Sequence, residues 1–348
     1  MNNAVTYVKE HIHLRGWFGR DFASTSLTEA KLSSPFWVMV QKEISDHIRS
    51  WRFIIMIALI ILTCVGALYT SLSNLPKVLA NTKDPNTAFV FLKLLTASDG
   101  TLPPFHVFIG FLGPLLGISL GFDAINSEHN NGTLVRLVAQ PIHRDFVINS
   151  KFIGALIVIS TLFFSLSLLI IGSGIFITGL IPSPGEFLRI IAFTILSIVY
   201  VSFWLNLAIL FSVKFKQAAT SALTSIATWL FFTVFYEIIV SMIAKAFMPS
   251  NTMLYPHRAM SIRNLFTILM DLVPSKLFTD ATTVLLVPSV RSLGPLSMQQ
   301  MYGAIPSTLP LKESLLIVWP ELTGLIATTV VCFAISYYLF MRREIRTK

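Results

Sequence analysis

Charge is what this sequence has least of. Only 12% of its 348 residues are Asp, Glu, Lys or Arg, about half of the roughly 25% usual in soluble domains. Its apolar residues come in unbroken runs rather than on alternating faces, and mean hydropathy is +0.72. A soluble core is therefore excluded. Cysteine is nearly missing. Cys64 and Cys332 lie inside apolar runs, form no metal-ligand spacing and read as inert buried thiols. No Gly-x-x-x-x-Gly-Lys-Ser/Thr stretch occurs, so there is no P-loop for nucleotide. No His-Glu-x-x-His stretch occurs, so the ligands of a zinc protease are missing. Gly117-Ile118-Ser119 is a lone Gly-x-Ser, with His106 about three helical turns away. His129 and His143 lack a second ligand at metal-binding spacing. The chain reads as non-enzymatic. The polar first 34 residues lack the short apolar core of a signal peptide, so the first apolar run is expected to stay in the protein.

What is present is length of apolar run. Six stretches, about 53–72, 105–122, 152–178, 187–212, 218–247 and 318–340, each suit a helix crossing ~30 Å of hydrocarbon. Backbone groups find no water there, so helices are the form such runs must take. The expected fold is all-α, a polytopic membrane protein with six transmembrane helices. Net charge is +9, but the basic residues flank the runs and serve orientation rather than nucleic acid. Arg136, Arg144, Lys151, Lys214, Lys216, Arg342, Arg343, Arg346 and Lys348 fall on one side, with Lys42, Arg49 and Arg52 before the first run. By the positive-inside rule both termini are cytoplasmic, and a cell-membrane location is expected.

The chain divides into a cytoplasmic tail (1–34), an amphipathic helix (35–52), spans one to five (53–247) with a connecting segment at 123–151, a long outer loop (248–317), and span six with a basic tail (318–348). Ser34 and Pro35 read as an N-cap and N1 proline. Trp37, Val40, Ile44, Ile48 and Trp51 then recur at helical spacing, with Gln41, Lys42, Glu43, Asp46, His47 and Arg49 on the other side. Such a helix is expected to lie in the membrane interface among the lipids. In span two, Gly110, Gly113, Gly117 and Gly121 form a small-residue face for helix packing, read as a dimer interface. In span five, Thr220, Ser221, Thr224, Ser225 and Thr228 form a hydroxyl stripe that either bonds a neighbouring helix or lines a polar path. Glu237 and Asn206 are ionisable or polar groups within spans and candidates for that path; Glu237 would otherwise lie near the outer headgroups. The loop 248–317 holds two apolar segments, Leu265–Leu272 and Leu277–Leu286, broken at Val273-Pro274-Ser275, with Ser275 read as a helix cap. They form either re-entrant helices or a small external domain.

The connector between spans two and three carries the most specific pattern. Glu128 is followed by Gly132, Thr133 and Leu134, then Arg136, Leu137, Pro141, Arg144 and Lys151. Asn130-Asn131-Gly132 signals a turn. Thr133 can cap a short helix from Leu134 to Gln140, which Pro141 ends. Pattern and position resemble the permease subunits of type-2 ABC exporters. The resemblance extends to the interfacial helix, the six spans and the broken apolar loop, although the loop of about 70 residues is longer than in the shortest bacterial members. It implies that Leu134–Gln140 is a coupling helix docking in a cleft on a separate ATPase subunit, present in two copies. ATP and Mg would be bound by that subunit and no cofactor by this chain. A second permease copy or a related permease would complete the transporter. Glu128 would pair with Arg144 or Lys151 to stiffen the hinge. ATP-driven motion of 128–151 would then tilt spans one to three against spans four to six and export a substrate. An ATPase-independent transporter or channel, and a membrane-anchored immunity or binding protein, are the other classes the residues allow.

Overall fold

The computed structural model describes residues 35–79, 89–98, 100–133, 143–247, 256–290 and 308–342. Among them the chain is helical: α1 (Pro35–Arg49), α2 (Trp51–Leu79), α3 (Val90–Thr96), α4 (Phe105–Gly121), α5 (Asn126–Asn130), α6 (Arg144–Thr178), α7 (Pro184–Lys214), α8 (Ala218–Leu230), a π-helical turn (Phe231–Phe235), α9 (Tyr236–Phe247), α10 (Pro256–Met270), α11 (Pro274–Leu286) and α12 (Leu311–Arg342). Six stretches are long and apolar enough to cross a membrane: Trp51–Leu75, Phe105–Glu128, Arg144–Thr178, Pro184–Lys214, Ala218–Phe247 and Leu311–Arg342. These are the six runs of the sequence, extended at their ends. The tail 1–34, with the cap at Ser34, lies outside the described residues.

Helix α7 is the central post. It packs against α4, α6, α8, α11 and α12, and Phe193, Tyr200 and Trp204 on it are fully buried. Its start is fixed by a capping box: Ser183 Oγ accepts from the Glu186 amide, and the Ser183 amide donates to Glu186 Oε2. Glu186 Oε1 also accepts from the Phe91 amide at 2.9 Å, so one carboxylate caps α7 and anchors α3.

The glycine face of span two meets α7 of the same chain. A Cβ at Gly117 would lie 2.6 Å from the Val201 carbonyl oxygen, and one at Gly121 2.7 Å from that of Leu205. Gly113 faces Val201 and Gly110 faces Phe278. These glycines let two backbones touch. Gly113, Gly117 and Gly121 are buried there, so within the chain this face packs span two on span four.

One expectation changes, at Ser275. Helix α1 buries only part of each face. Val40 and Glu43 are the buried pair, packed on α6, while Trp37, Ile48 and Trp51 are exposed. Ser275 is not a cap. Val273 holds the N-cap position with Pro274 at N1, and the Ser275 hydroxyl points elsewhere. The segment 274–286 is no separate body; α11 packs on α4, α7 and α12 and buries Leu277, Phe278, Ala281 and Leu285. Arg189, 1% exposed, clasps it by donating to the Leu285 carbonyl at 3.0 Å and the Leu309 carbonyl at 2.7 Å. A guanidinium on a carbonyl in the last turn of a helix satisfies a group the helix cannot satisfy itself.

Candidate functional site

Helix α4 ends at Gly121, and the chain turns through residues 122–125 into α5. The turn is held from two directions. On the α7 side, Ser212 Oγ accepts from the amides of Ile125 (3.0 Å) and Asn126 (3.2 Å). The Asn126 amide nitrogen, in the orientation its neighbours require, donates to the carbonyls of Ser212 and Phe215, each at 2.6 Å. On the α2 side, Arg52 Nη1 meets Asp123 Oδ2 at 2.6 Å, and its guanidinium lies 4.9 Å from the Phe122 ring centroid.

Beyond the turn, α5 presents Glu128 to a buried ion cluster. Lys151 Nζ lies 2.9 Å from Glu128 Oε1 and 3.1 Å from each oxygen of Glu43. Lys42 Nζ lies 3.0 Å from Glu43 Oε1, 3.2 Å from Glu128 Oε1 and 3.4 Å from Asp46 Oδ2. Glu43, Glu128 and Lys151 are buried. Two ammonium groups between two buried carboxylates balance the charge, which is the condition for burying it at all. Gly154, one turn along α6 from Lys151, makes room: its Cβ would lie 2.9 Å from that of Glu43.

The electrostatics follow from this packing. Burial works against ionisation of Glu43, but Lys151 and Lys42 outweigh it and hold the carboxyl below its ordinary value. Burial also opposes the charge on Lys42, yet Glu43 and Glu128 raise its ammonium above the ordinary range. Burial pushes His47 down, against the opposing pull of Glu43. The cluster borders a cleft of about 560 Å³ that His47, Arg52, Asp123 and Thr133 also line.

The helix then stops where the sequence placed a turn. Gly132 has φ +69°, a left-handed geometry that costs other residues ~1–2 kcal/mol. Thr133 Oγ1 donates to the Glu128 carbonyl at 3.2 Å and closes α5. Leu134, Arg136, Leu137 and Pro141 lie outside the described residues. The chain resumes at His143, and Arg144, half-buried, opens α6. Of the two partners expected for Glu128, Lys151 carries the contact. Glu43 and Lys42 were assigned only to a polar helix face; an ionisable Lys151 in the opening turns of a span was the signal that a carboxylate had to reach it.

The residues proposed for a path are not brought together. Thr224 Oγ1 donates to the Thr220 carbonyl and Thr228 Oγ1 to that of Thr224, each at 2.8 Å, so these hydroxyls close on their own helix. Thr220 and Glu237 are exposed. Asn206 is fully buried, and its amide has no hydrogen-bond partner among the described residues.

The family described as ABC-2 family transporter protein matches residues 37–345, from the start of α1 to beyond the end of α12. The chain belongs to this ABC-2 family. A relative, the probable ABC transporter permease protein NosY of Stutzerimonas stutzeri, is 24% identical over 211 residues, which cover 59% of this chain and 68% of that protein. Family and helices together make the chain a multi-pass membrane protein of the ABC-2 permease kind, the membrane component of an ABC transporter.

Proposed function

We propose that the chain is the permease subunit of an ATP-driven exporter, and that a separate ATPase subunit grips it at residues 128–151. The observation that carries this reading is the buried cluster of Glu43, Lys42, Glu128 and Lys151. It joins both ends of the connector between spans two and three to α1. A force applied to the connector therefore reaches α1, α4 and α6 together instead of bending a loop. Both termini lie on the cytoplasmic side of the cell membrane, as the flanking basic residues favour. Helix α1 lies in the headgroup region with Trp37 outward, as is Trp51 at the start of α2, and α10–α11 fold back into the outer half of the bilayer. Two copies, or this chain and a related permease, act with two ATPases that hold ATP and Mg.

The moving parts differ from the division of spans one to three against four to six. Spans two and four are zipped by glycine contacts and share the Ser212 bonds, so α4 and α7 move as one body. Span five, exposed over most of its length, is the element left free to shift.

The test is a search of the adjacent reading frames for a P-loop ATPase, co-purification with it, and hydrolysis assays in lipid. A stable complex whose ATPase rate depends on this subunit, and falls severalfold with Glu128→Gln, is expected. Hydrolysis indifferent to the subunit would favour the anchor or binding-protein class. Flux in liposomes from this chain alone would favour a transporter or channel without ATPase.

A further inference from the structure

Span five is interrupted by a π-helical turn at Phe231–Phe235, where the Tyr236 amide donates to the Phe231 carbonyl five residues back. Such turns carry one residue more than an α-helix allows and concentrate at functional sites. The hydroxyl pattern of the span changes at this turn. Thr224 and Thr228 bond carbonyls four residues back, but Thr233 Oγ1 lies 3.1 Å from Ser275 Oγ on α11. Ser275 Oγ in turn lies 3.1 Å from the Tyr200 hydroxyl, which donates to the Gly110 carbonyl at 3.0 Å.

Each hydroxyl has one proton, and this fixes the direction of the chain. Tyr200 gives its proton to Gly110, so it accepts from Ser275. Ser275 has then used its own proton, so it accepts from Thr233. Four elements are linked in series: the π-turn, α11, α7 and α4. The Tyr200 ring also stacks on Phe278 of α11, with centroids 4.3 Å apart and planes within 10°. One residue past the turn, the Tyr236 hydroxyl donates to the Leu269 carbonyl of α10 at 3.1 Å. The π-turn is thus bracketed by two bonds to the α10–α11 pair.

We propose that Thr233, Ser275 and Tyr236 form a latch that holds span five in a π-register, and that its release converts the turn to α-helix. Relaxation of the extra residue rotates everything beyond the turn by about 100° and slides it about 1.5 Å relative to α8. Glu237, Val240 and the rest of α9 then present a different face, and the bonds at Thr233 and Tyr236 both break. The switch has two positions because a helix can absorb one residue or none. Its role in transport rests on the exporter reading, in which span five is the free element; the latch itself does not.

Hydrogen–deuterium exchange on the purified protein in lipid nanodiscs tests it without ATPase or cargo. Thr233→Val keeps the side-chain shape and removes the donor. Amides at 231–240 and 264–272 are expected to exchange about five- to tenfold faster in Thr233→Val, Ser275→Ala and Tyr236→Phe. Thr233→Ser should restore wild-type exchange, and Thr228→Val, whose hydroxyl bonds its own helix, should leave these segments unchanged. Unchanged exchange in Thr233→Val, or equal acceleration in Thr228→Val, overturns the latch. An intact latch response in a protein that binds no ATPase would sink the exporter reading alone; ATPase stimulation with no latch response would sink the latch alone.

Discussion

At the residue scale, Lys151 carries the heaviest consequence. It is 5% exposed and has two carboxylates on it, so Lys151→Met strands two buried negative charges with only half-exposed Lys42 to offset them. Breaking a buried pair this way costs about 3–5 kcal/mol, and thermal unfolding of Lys151→Met in detergent should show it. The double variant with Glu43→Gln should cost less than the sum of the two single changes, because they share one network. Gly117 responds to volume instead. A Leu there drives its Cβ into the Val201 carbonyl, a clash of two backbones that no rotamer relieves. Gly117→Leu should lower the melting temperature of the isolated subunit, whereas a change that only weakened a dimer would leave an isolated subunit's melt untouched. Gly132 was legible because a turn with left-handed geometry needs glycine whatever surrounds it. The partner of Gly117 was not, since a small-residue stripe states that a helix comes close and not which one.

At the element scale, α1 shows where sequence patterning stops. Its residues form the expected helix, but the side that docks on α6 joins apolar Val40 to charged Glu43. Glu43 is paired with a lysine 108 positions away, and no local periodicity carries that information. Its attachment should follow pH in a definite direction. Glu43 lies below its ordinary 4.5, so its contribution is complete above that value and lost as pH falls through the lowered one. His47 lies below its ordinary 6.5, so protonation begins to cost stability under about pH 6.5. Lys42 is raised above its ordinary 10.5, so its contribution is complete below 10.5 and is lost as pH rises from there through the raised value. Melting temperature should therefore plateau across the neutral to mildly alkaline range and decline in acid in two stages. His47→Asn should remove the first stage and keep the second. Helix α3 shows the reverse limit. Phe91, Leu92, Leu94 and Leu95 are buried under the end of α6, yet seven residues are too short for a span and too few to display a period.

At the scale of the whole molecule, run length decided most of the fold. Six spans were readable because hydrocarbon thickness sets their length without reference to neighbours. Their arrangement depends on contacts such as Gly121 with Leu205 and Ser212 with Ile125, which are side-chain facts. They predict a specific pattern of motion. Spin labels at Val107 of α4 and Ile195 of α7, both exposed or half-turned outward on zipped helices, should keep one distance distribution through the nucleotide cycle of the assembled transporter. Labels at Val107 and Ile238 of α9 should change theirs. Constancy of both pairs would mean that span five does not move, and a shift in the first pair would mean that the zipper opens.

The Arg189 clasp also sets an order of events during synthesis. Its two acceptors lie 96 and 120 positions further along the chain. At roughly 5–20 residues per second, a guanidinium in span four waits about 6–24 seconds for the carbonyls that will hold it. Through that interval the half-made protein carries an unmatched charge at the mouth of a membrane helix. A chain cut before Leu309 never resolves it. Biogenesis of this subunit should therefore lean on whatever shelters polar residues at the insertion site, and truncated products should be the ones the cell removes first.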